Sequence, residues 1–276
     1  MAIIQVNFLS QTLKRTAPIQ VVLPSDKVLS YTGHMSESKP YKTLYLLHGL
    51  LGNCTDWVMN TNIQRLAEDR NLAVVMPSGE NSFYVNQILP NNDFGEYIGR
   101  ELVEMTRRMF PLSHKREDTF IAGLSMGGFG ALRNGLKYHK TFGYIAVLSG
   151  ALQIFEMSPE APGHDLFHED AVFGDLSQAG QTDKNPRVAF QQMVKALQGN
   201  TAAYPKMYMA CGEQDGLLAV NQKMYDFLRQ GGIDVRWYQG PGGHDWDFWR
   251  EQIKCVLDWL PLEKAVSGLN SGNVRN

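Results

Sequence analysis

The nine residues at positions 119–127, TFIAGLSMG, decide how the whole chain is interpreted. An apolar run leads into Gly123, and a helix-forming stretch that extends to about Lys140 follows Ser125. A serine on so sharp a strand-to-helix turn is the nucleophile elbow of serine hydrolases. We expect the backbone at Gly123 and Gly127 to press together, and glycine avoids the clash because it has no Cβ. The Ser125 hydroxyl then stands at the head of a helix, where amide dipoles favour developing negative charge.

The helix after the serine gives this motif its context. Gly127, Ala131 and Gly135 recur every four residues, so one helix face is nearly bare and can lie close to a sheet. The alternative interpretation is a glycine-rich loop with an incidental serine, because a short Gly-x-Ser-x-Gly match also arises by chance. The bare face and the motifs described below favour the elbow.

Composition indicates an ordinary globular protein and argues against some classes of partner. The chain has 276 residues, of which 43% are hydrophobic and 20% charged, with a net charge of −2. This balance gives no electrostatic reason to expect nucleic acid or an anionic membrane as partner. We see no signal peptide and no apolar run long enough to span a bilayer, so a cytoplasmic location is the default expectation.

The cysteines are few and widely spaced. Cys54, Cys211 and Cys255 form no Cys-x-x-Cys pair, which argues against a disulfide framework or a zinc site. We expect each of them to be a small buried hydrophobic residue.

Apolar runs with strand character alternate with stretches of helical period along most of the chain. Strands are predicted at Gln5–Leu9, Ile19–Leu23, Thr43–His48, Leu72–Met76, Thr119–Leu124, Tyr144–Ser149, Lys206–Cys211 and Val235–Tyr238. Helices besides the one after Ser125 are predicted at Asn62–Arg70, Glu96–Phe110, Gly216–Gln230 and Asp245–Leu260. Several strands are apolar throughout, which is typical of strands covered on both faces. The pattern predicts an α/β fold: a mostly parallel central sheet flanked by helices on both faces, with ligands at the carboxyl ends of the strands.

We predict a single domain over residues 1–262. Residues 151–204 contain no clear strand and are interpreted as a lid-like insert, with a surface excursion as the alternative. One helix inside the insert is expected to begin at Asn185 and Pro186. Residues 263–276 are polar, and we expect this tail to be frayed.

A serine hydroxyl needs a histidine to take its proton, and the histidine needs a carboxylate behind it. Of the seven histidines, His244 follows the last predicted strand and directly precedes the last helix. The others fit less well. His34, His114 and His139 lie in polar settings and are expected to be solvated, His48 precedes the serine, and His164 and His168 lie in the insert. His244 is therefore the predicted base, with a capping or surface histidine as the alternative.

The acid is expected between the serine and the histidine in chain order. Asp215 follows the strand predicted at Lys206–Cys211 and is favoured, although it could instead cap the next helix. Glu213 is the nearest rival, and Asp170 and Asp175 in the insert are more remote. Asp245 and Asp247 adjoin His244 in sequence and are poorly placed to brace the far side of its ring.

Two backbone N–H groups are expected to hold the charged oxygen of a tetrahedral intermediate. One belongs to Met126, the residue after the serine. The other is assigned to Leu50, in the loop that begins at His48 after an apolar strand, because Gly49 permits the turn. His48 is expected to hold the shape of this loop without taking part in proton transfer.

The chain resembles the esterase D-like α/β-hydrolases, most closely the tributyrin esterase group, which includes acetyl and feruloyl esterases. The resemblance rests on four segments and extends over about residues 4–260: YLLHG at 45–49, FIAGLSMGG at 120–128, LSGA at 148–151 and GHDW at 243–246. It implies the α/β-hydrolase fold and the site roles given above. S-formylglutathione hydrolases share this fold but typically have histidine before the nucleophile, where this chain has Leu124.

Aromatic residues near the predicted active-site loops are candidates for a substrate pocket. Trp57, Tyr84 and Trp246 are assigned to substrate binding, with ordinary core packing as an equally weighted alternative for each. No basic cluster adjoins these loops, so a phosphorylated or strongly anionic substrate is not expected.

The sequence therefore predicts a serine carboxylesterase that hydrolyses small short-chain or aryl esters through an acyl-serine intermediate, without metal or organic cofactor. An S-formylglutathione hydrolase or an acyltransferase on the same scaffold is the alternative, and a non-catalytic binding protein is a more remote one. Assembly into a homo-oligomer is compatible with the sequence.

Overall fold

An eight-stranded sheet forms the centre of the computed structural model, which describes residues 1–29, 40–156, 169–263 and 268–269. In chain order the strands are β1 (Ala2–Ser10), β2 (Arg15–Leu23), β3 (Lys42–Leu47), β4 (Leu72–Pro77), β5 (Thr119–Leu124), β6 (Tyr144–Leu148), β7 (Lys206–Gly212) and β8 (Val235–Gly240). Their spatial order is β1-β2-β4-β3-β5-β6-β7-β8. Strands β3 to β8 pair in parallel, whereas β1 and β2 form an antiparallel hairpin that joins β4.

Helices connect the parallel strands. They are α1 (Asp56–Asn60), α2 (Ile63–Glu68), α3 (Phe94–Glu96), α4 (Leu102–Met109), α5 (Met126–Lys137), α6 (Glu169–Phe173), α7 (Leu176–Ala179), α8 (Pro186–Ala196), α9 (Leu218–Gln230) and α10 (Trp246–Trp259). A π-helical turn at Tyr97–Glu101 joins α3 to α4, so the predicted helix at 96–110 is continuous but irregular.

The sheet has an apolar layer on each face. Successive side chains of a strand point to opposite faces, so Leu44 and Leu46 join one layer while Tyr45 and Leu47 join the other. The first layer packs against α1, α2 and α10, and the second against α4, α5, α8 and α9. The predicted mostly parallel sheet between two layers of helices is thereby confirmed.

All eight predicted strands are present, with ends shifted by a few residues. The prediction for the cysteines is wrong at one position. Cys54 and Cys211 are buried, but Cys255 is exposed because it lies on the outer side of α10, opposite Val256 and Leu257 in the core.

The predicted insert and tail fall partly outside the described residues. Within 151–204, α8 begins at the expected Pro186, and the Asn185 side chain accepts a hydrogen bond from the Arg187 amide. Of the tail beyond residue 263, only Gly268 and Leu269 are described, and the Leu269 amide donates to the Val28 carbonyl at 2.8 Å.

Candidate active site

Ser125 occupies a strained turn between β5 and α5. Its backbone has φ +53° and ψ −120°, a conformation that non-glycine residues seldom adopt. A Cβ on Gly123 would overlap the Gly127 backbone, as predicted. A Cβ on Gly127 would instead lie 2.5 Å from the carbonyl oxygens of Leu47 and His48. Glycine is thus required on both sides of the serine. Gly123 is required by the turn itself, and Gly127 is required by the neighbouring loop after β3.

Three predicted side chains meet at this turn. His244, in the loop between β8 and α10, places Nε2 3.0 Å from the Ser125 Oγ. Its Nδ1 lies 2.9 Å from an Asp215 carboxylate oxygen. Because β5, β7 and β8 run parallel, their carboxyl ends bring residues 119 positions apart into contact.

Asp215 is buried and fully hydrogen-bonded. One carboxylate oxygen accepts from His244, and the other accepts from the Leu217 amide at 2.8 Å. Burial is the largest single influence and opposes ionisation, but hydrogen bonds from His244, Leu217 and Ser149 outweigh it and lower the pKa of Asp215. The carboxylate is therefore an ionised partner for the imidazole. The same carboxylate also caps the turn before α9, so contact with His244 and capping are compatible.

The rival acids lie elsewhere. Glu213 is exposed, the Asp245 side chain caps α10 by accepting from the Phe248 amide, and Asp247 pairs with Arg250. In the insert, Asp170 and Asp175 accept hydrogen bonds from amides of their own helices.

The rival histidines are likewise accounted for where the structure describes them. His114 is exposed as expected. His139 is buried at the end of α5, with Nδ1 3.1 Å from the Leu136 carbonyl, so the prediction that it is solvated is wrong. Its setting is polar in sequence, but Arg116 packs against it and donates to its backbone carbonyl. His34, His164 and His168 lie outside the described residues.

The two predicted oxyanion donors flank the serine. Met126 is the first residue of α5, and no hydrogen bond to a described residue occupies its amide or that of Leu50. A Cβ on Gly49 would lie 3.5 Å from the Ser125 Cβ and 2.7 Å from a Leu124 methyl group. A side chain at position 49 would therefore require Leu124 to shift, whereas the positive φ in the loop, +65°, belongs to Leu51.

His48 holds this loop from inside the protein. Its Nε2 accepts from the Gly79 amide at 2.8 Å, so Nδ1 carries the proton and donates to the Gly49 carbonyl at 2.7 Å. Burial lowers the pKa of His48, which keeps the ring neutral. These contacts agree with a loop-holding function.

Comparison with known proteins assigns this arrangement to a family. A family model described as putative esterase matches residues 10–260. The chain belongs to this esterase family. It is 43% identical over 265 residues to an acetyl esterase from Caldicellulosiruptor saccharolyticus, an alignment that covers 94% of this chain and 98% of that protein.

Solved structures support the same assignment. The fluorophosphonate-binding serine hydrolase FphF of Staphylococcus aureus superposes with a TM-score of 0.81 and the S-formylglutathione hydrolase FrmB of that species with 0.78. Each is 32% identical, and each comparison covers 94% of this chain and 98% of the other. The protein is a carboxylic ester hydrolase with the α/β-hydrolase fold.

Two of the three predicted pocket residues of the esterase lie in its core. Trp57 is 1% exposed and Tyr84 is 0% exposed, so neither presents appreciable surface to a ligand. The Trp57 indole N–H donates to the Leu47 carbonyl and the Tyr84 hydroxyl to the His48 carbonyl, each at 3.0 Å. Both therefore anchor the strand end that leads into the Leu50 loop. Trp246 is half-buried and packs perpendicular to Trp57, with ring centroids 5.2 Å apart.

Sequence reasoning missed two side chains behind the histidine. Ser149, at the end of β6, is fully buried with φ +48°, and Trp249 donates its indole N–H to the Ser149 hydroxyl at 3.1 Å. Ser149 lies in the LSGA segment of the family resemblance, which was the available signal. Trp249 lies in the helix predicted at Asp245–Leu260, and nothing in that pattern set it apart from the core residues of α10.

Neither a metal cluster nor a membrane span is evident in the described part of the chain. Among the residues that the structure describes, no group of three His, Cys, Asp or Glu side chains could hold a metal ion. Within the same residues, every helix is too short or too polar to cross a bilayer.

Proposed function

We propose that Ser125, His244 and Asp215 form the catalytic triad of this esterase. Ser125 Oγ attacks the ester carbonyl while His244 Nε2 takes its proton, and His244 then returns the proton to the leaving alcohol. Asp215 orients the ring and stabilises the imidazolium. In the second half of the reaction, water activated by His244 hydrolyses the acyl-serine. The observation that carries the proposal is the unbroken Asp215–His244–Ser125 chain of hydrogen bonds at 2.9 and 3.0 Å.

The amides of Met126 and Leu50 are proposed as the oxyanion hole. Met126 lies at the positive end of α5, and Leu50 follows Gly49, where an added Cβ would lie 3.5 Å from the Ser125 Cβ. Two such donors aimed at the developing oxyanion favour the transition state over the neutral ester.

Short acyl groups, acetyl above all, are the proposed substrates. The support is the 43% identity to an acetyl esterase along nearly the whole of both chains. An ester panel of acetyl, butyryl, feruloyl and acetylated-sugar substrates tests this proposal, and kcat/KM should be highest for the acetyl esters. A clear preference for feruloyl esters would contradict it.

A second candidate substrate is S-formylglutathione. The 32% identity to FrmB over nearly the full length of both chains favours it, although Leu124 stands where such enzymes typically have histidine. Including S-formylglutathione in the same panel decides between the two candidates.

The Ser125→Ala variant tests the triad itself. We expect kcat for p-nitrophenyl acetate to fall at least ~10³-fold because no acyl-serine can form, while the thermal unfolding midpoint stays close to that of the wild type. Near-native turnover by this variant would exclude the proposed nucleophile.

The described part of the insert is proposed to cover one side of the site. Phe173 of α6 packs on Phe129, whose amide donates to the Ser125 carbonyl, with ring centroids 5.9 Å apart. Asp183 is bound by the buried Arg133 of α5 at 2.7 Å. These contacts support a fixed cover over the first turns of α5. The cytoplasmic location and a homo-oligomeric state stay predictions from the sequence.

A further inference from the structure

The imidazole of His244 is held through its two nitrogens, by Asp215 on one side and Ser125 on the other. Two hydrogen bonds on opposite sides of the ring define an axis through it. They hold the ring in place along this axis but resist its rotation about the axis less strongly. The side chain is also 36% exposed, so solvent provides no rigid wall on its open side. A packed neighbour would hold the plane of the ring more firmly than these two bonds and the rotatable side-chain bonds alone.

Trp249 is such a neighbour. Its ring lies perpendicular to the His244 ring, at 88°, with centroids 4.9 Å apart. The side chain is 6% exposed and therefore tightly packed. A perpendicular pair at this separation is a favoured aromatic arrangement, and tilting the imidazole would disturb it.

Ser149 in turn fixes the indole. The Trp249 N–H donates to the Ser149 hydroxyl at 3.1 Å, and the Ser149 amide donates to the Ala210 carbonyl of β7 at 2.8 Å. The next residue, Gly150, is bound at both its N–H and its carbonyl by the buried side chain of Asn221, at 3.0 and 2.8 Å. The acceptor for the indole is thus part of a rigid strand end.

We propose that Trp249, locked by its hydrogen bond to Ser149, is a positioning residue that sets the plane of the His244 ring for proton transfer. This inference rests on the proposed function, in which His244 is the base. Trp249 acts through the imidazole and not on the ester. A ring held at the right tilt keeps the Nε2 lone pair directed at the Ser125 hydroxyl, and small misplacements of a catalytic group are costly.

Trp249 is the first of three packed tryptophans that extend from His244 to the loop that carries Leu50. Trp246 packs perpendicular to Trp249 with centroids 5.4 Å apart, and Trp57 packs on Trp246 at 5.2 Å. Trp57 also binds the Leu47 carbonyl, at the start of the loop that carries Leu50. One packed wall therefore supports both the base and the proposed oxyanion loop, and Trp249 is the member that faces the base.

Two variants and a matched control test the proposal. Trp249→Phe keeps an aromatic ring but removes the N–H. Ser149→Ala keeps the indole but removes its acceptor, together with the Ser149 hydrogen bond to Asp215. The matched control is Trp259→Phe, a tryptophan-to-phenylalanine change in the same helix. Trp259 packs on Tyr144 and Tyr208, with ring centroids 5.5 and 5.7 Å apart. For each protein we would measure kcat and KM for p-nitrophenyl acetate, the rate of inactivation by a small fluorophosphonate, and the thermal unfolding midpoint.

We expect kcat and the inactivation rate to fall together by about tenfold or more in Trp249→Phe and in Ser149→Ala, with KM within about twofold of the wild type. The double variant should fall little further than the more impaired single variant, because the two side chains act as one unit. Trp259→Phe should lose stability without losing kcat.

The proposal is overturned if kcat of Trp249→Phe stays within about twofold of the wild type, or if KM rises while kcat holds. It is also overturned if the two single losses multiply in the double variant. Should Trp249→Phe fail to fold, Trp249→Tyr is judged by the same kcat criterion. Ser149→Ala cannot decide alone, because Ser149 also hydrogen-bonds Asp215. Failure of the proposed function is separately visible, because Ser125→Ala would then remain active.

Discussion

His48 and His244, which lie on two loops beside Ser125, differ in almost every physical respect. His48 is buried, neutral and saturated by two backbone groups, whereas His244 is partly exposed and bonded to two side chains. The first fixes the shape of the loop that carries Leu50, and the second joins a carboxylate to a hydroxyl. Residue type alone therefore does not distinguish a structural histidine from one suited to proton transfer. The hydrogen-bond partners and the solvent exposure of the ring make the distinction.

Removing the exposed histidine gives the largest expected effect on rate. His244→Ala should lower kcat at least ~10³-fold, because Ser125 then lacks a base. Since the side chain is partly exposed, the unfolding midpoint should move little. Turnover of p-nitrophenyl acetate and a thermal melt check both parts, and a large loss of stability with retained activity would reverse the roles assigned to the two histidines.

Replacing the buried histidine should affect stability as well as rate. In His48→Asn the Gly79 amide and the Gly49 carbonyl can no longer both be satisfied, and each unmet buried group costs about 1–3 kcal/mol. Displacement of the Leu50 amide should lower kcat by about 10²-fold. Urea unfolding together with kinetics tests this, and an unchanged kcat would show that the loop does not depend on His48.

Acid should weaken the half of the site that contains His244. The pKa of Asp215 is lower in the folded protein than in the unfolded chain, where it is near 4. Ionised Asp215 therefore stabilises the fold at pH values above the unfolded-state pKa, and this stabilisation is lost as the pH falls through the folded-state pKa. The difference in unfolding free energy between the wild type and Asp215→Asn should therefore shrink as pH is lowered from about 5 toward 3. Urea titrations of both proteins measure this difference, and one that grows in acid would contradict the assigned direction.

A single hydroxyl gives the smallest expected effect. Tyr84→Phe removes the hydrogen bond to the His48 carbonyl and should cost about 1 kcal/mol of stability. Tyr45→Phe is the matched control, because it removes a buried hydroxyl that bonds Thr106 at 2.8 Å. Both variants should melt earlier by similar amounts, but only Tyr84→Phe should lower kcat, by a few-fold. Equal kinetics in the two would mean that Tyr84 is simply a core residue.

The strands and the meeting of the three side chains of the proposed triad were predictable because each depends on local pattern and chain order. β5 is apolar throughout and ends at a Gly-x-Ser-x-Gly turn, and the acid and histidine follow in the order that parallel strands require. The directions of Trp57 and Tyr84 were not predictable, since an aromatic residue in a loop can face a ligand or a backbone carbonyl. The Trp249–Ser149 hydrogen bond joins residues 100 positions apart, and no sequence pattern around either residue predicts that they meet.

The absent side chain of Gly127 has a consequence for how this enzyme can vary. Its Cα faces the carbonyls of Leu47 and His48, so the turn that presents the nucleophile and the loop after β3 are in direct backbone contact. A methyl group there would shift both halves of the reaction centre together. Attempts to reshape the site around Ser125 by altering one of these two segments will therefore succeed only when the other segment is redesigned with it.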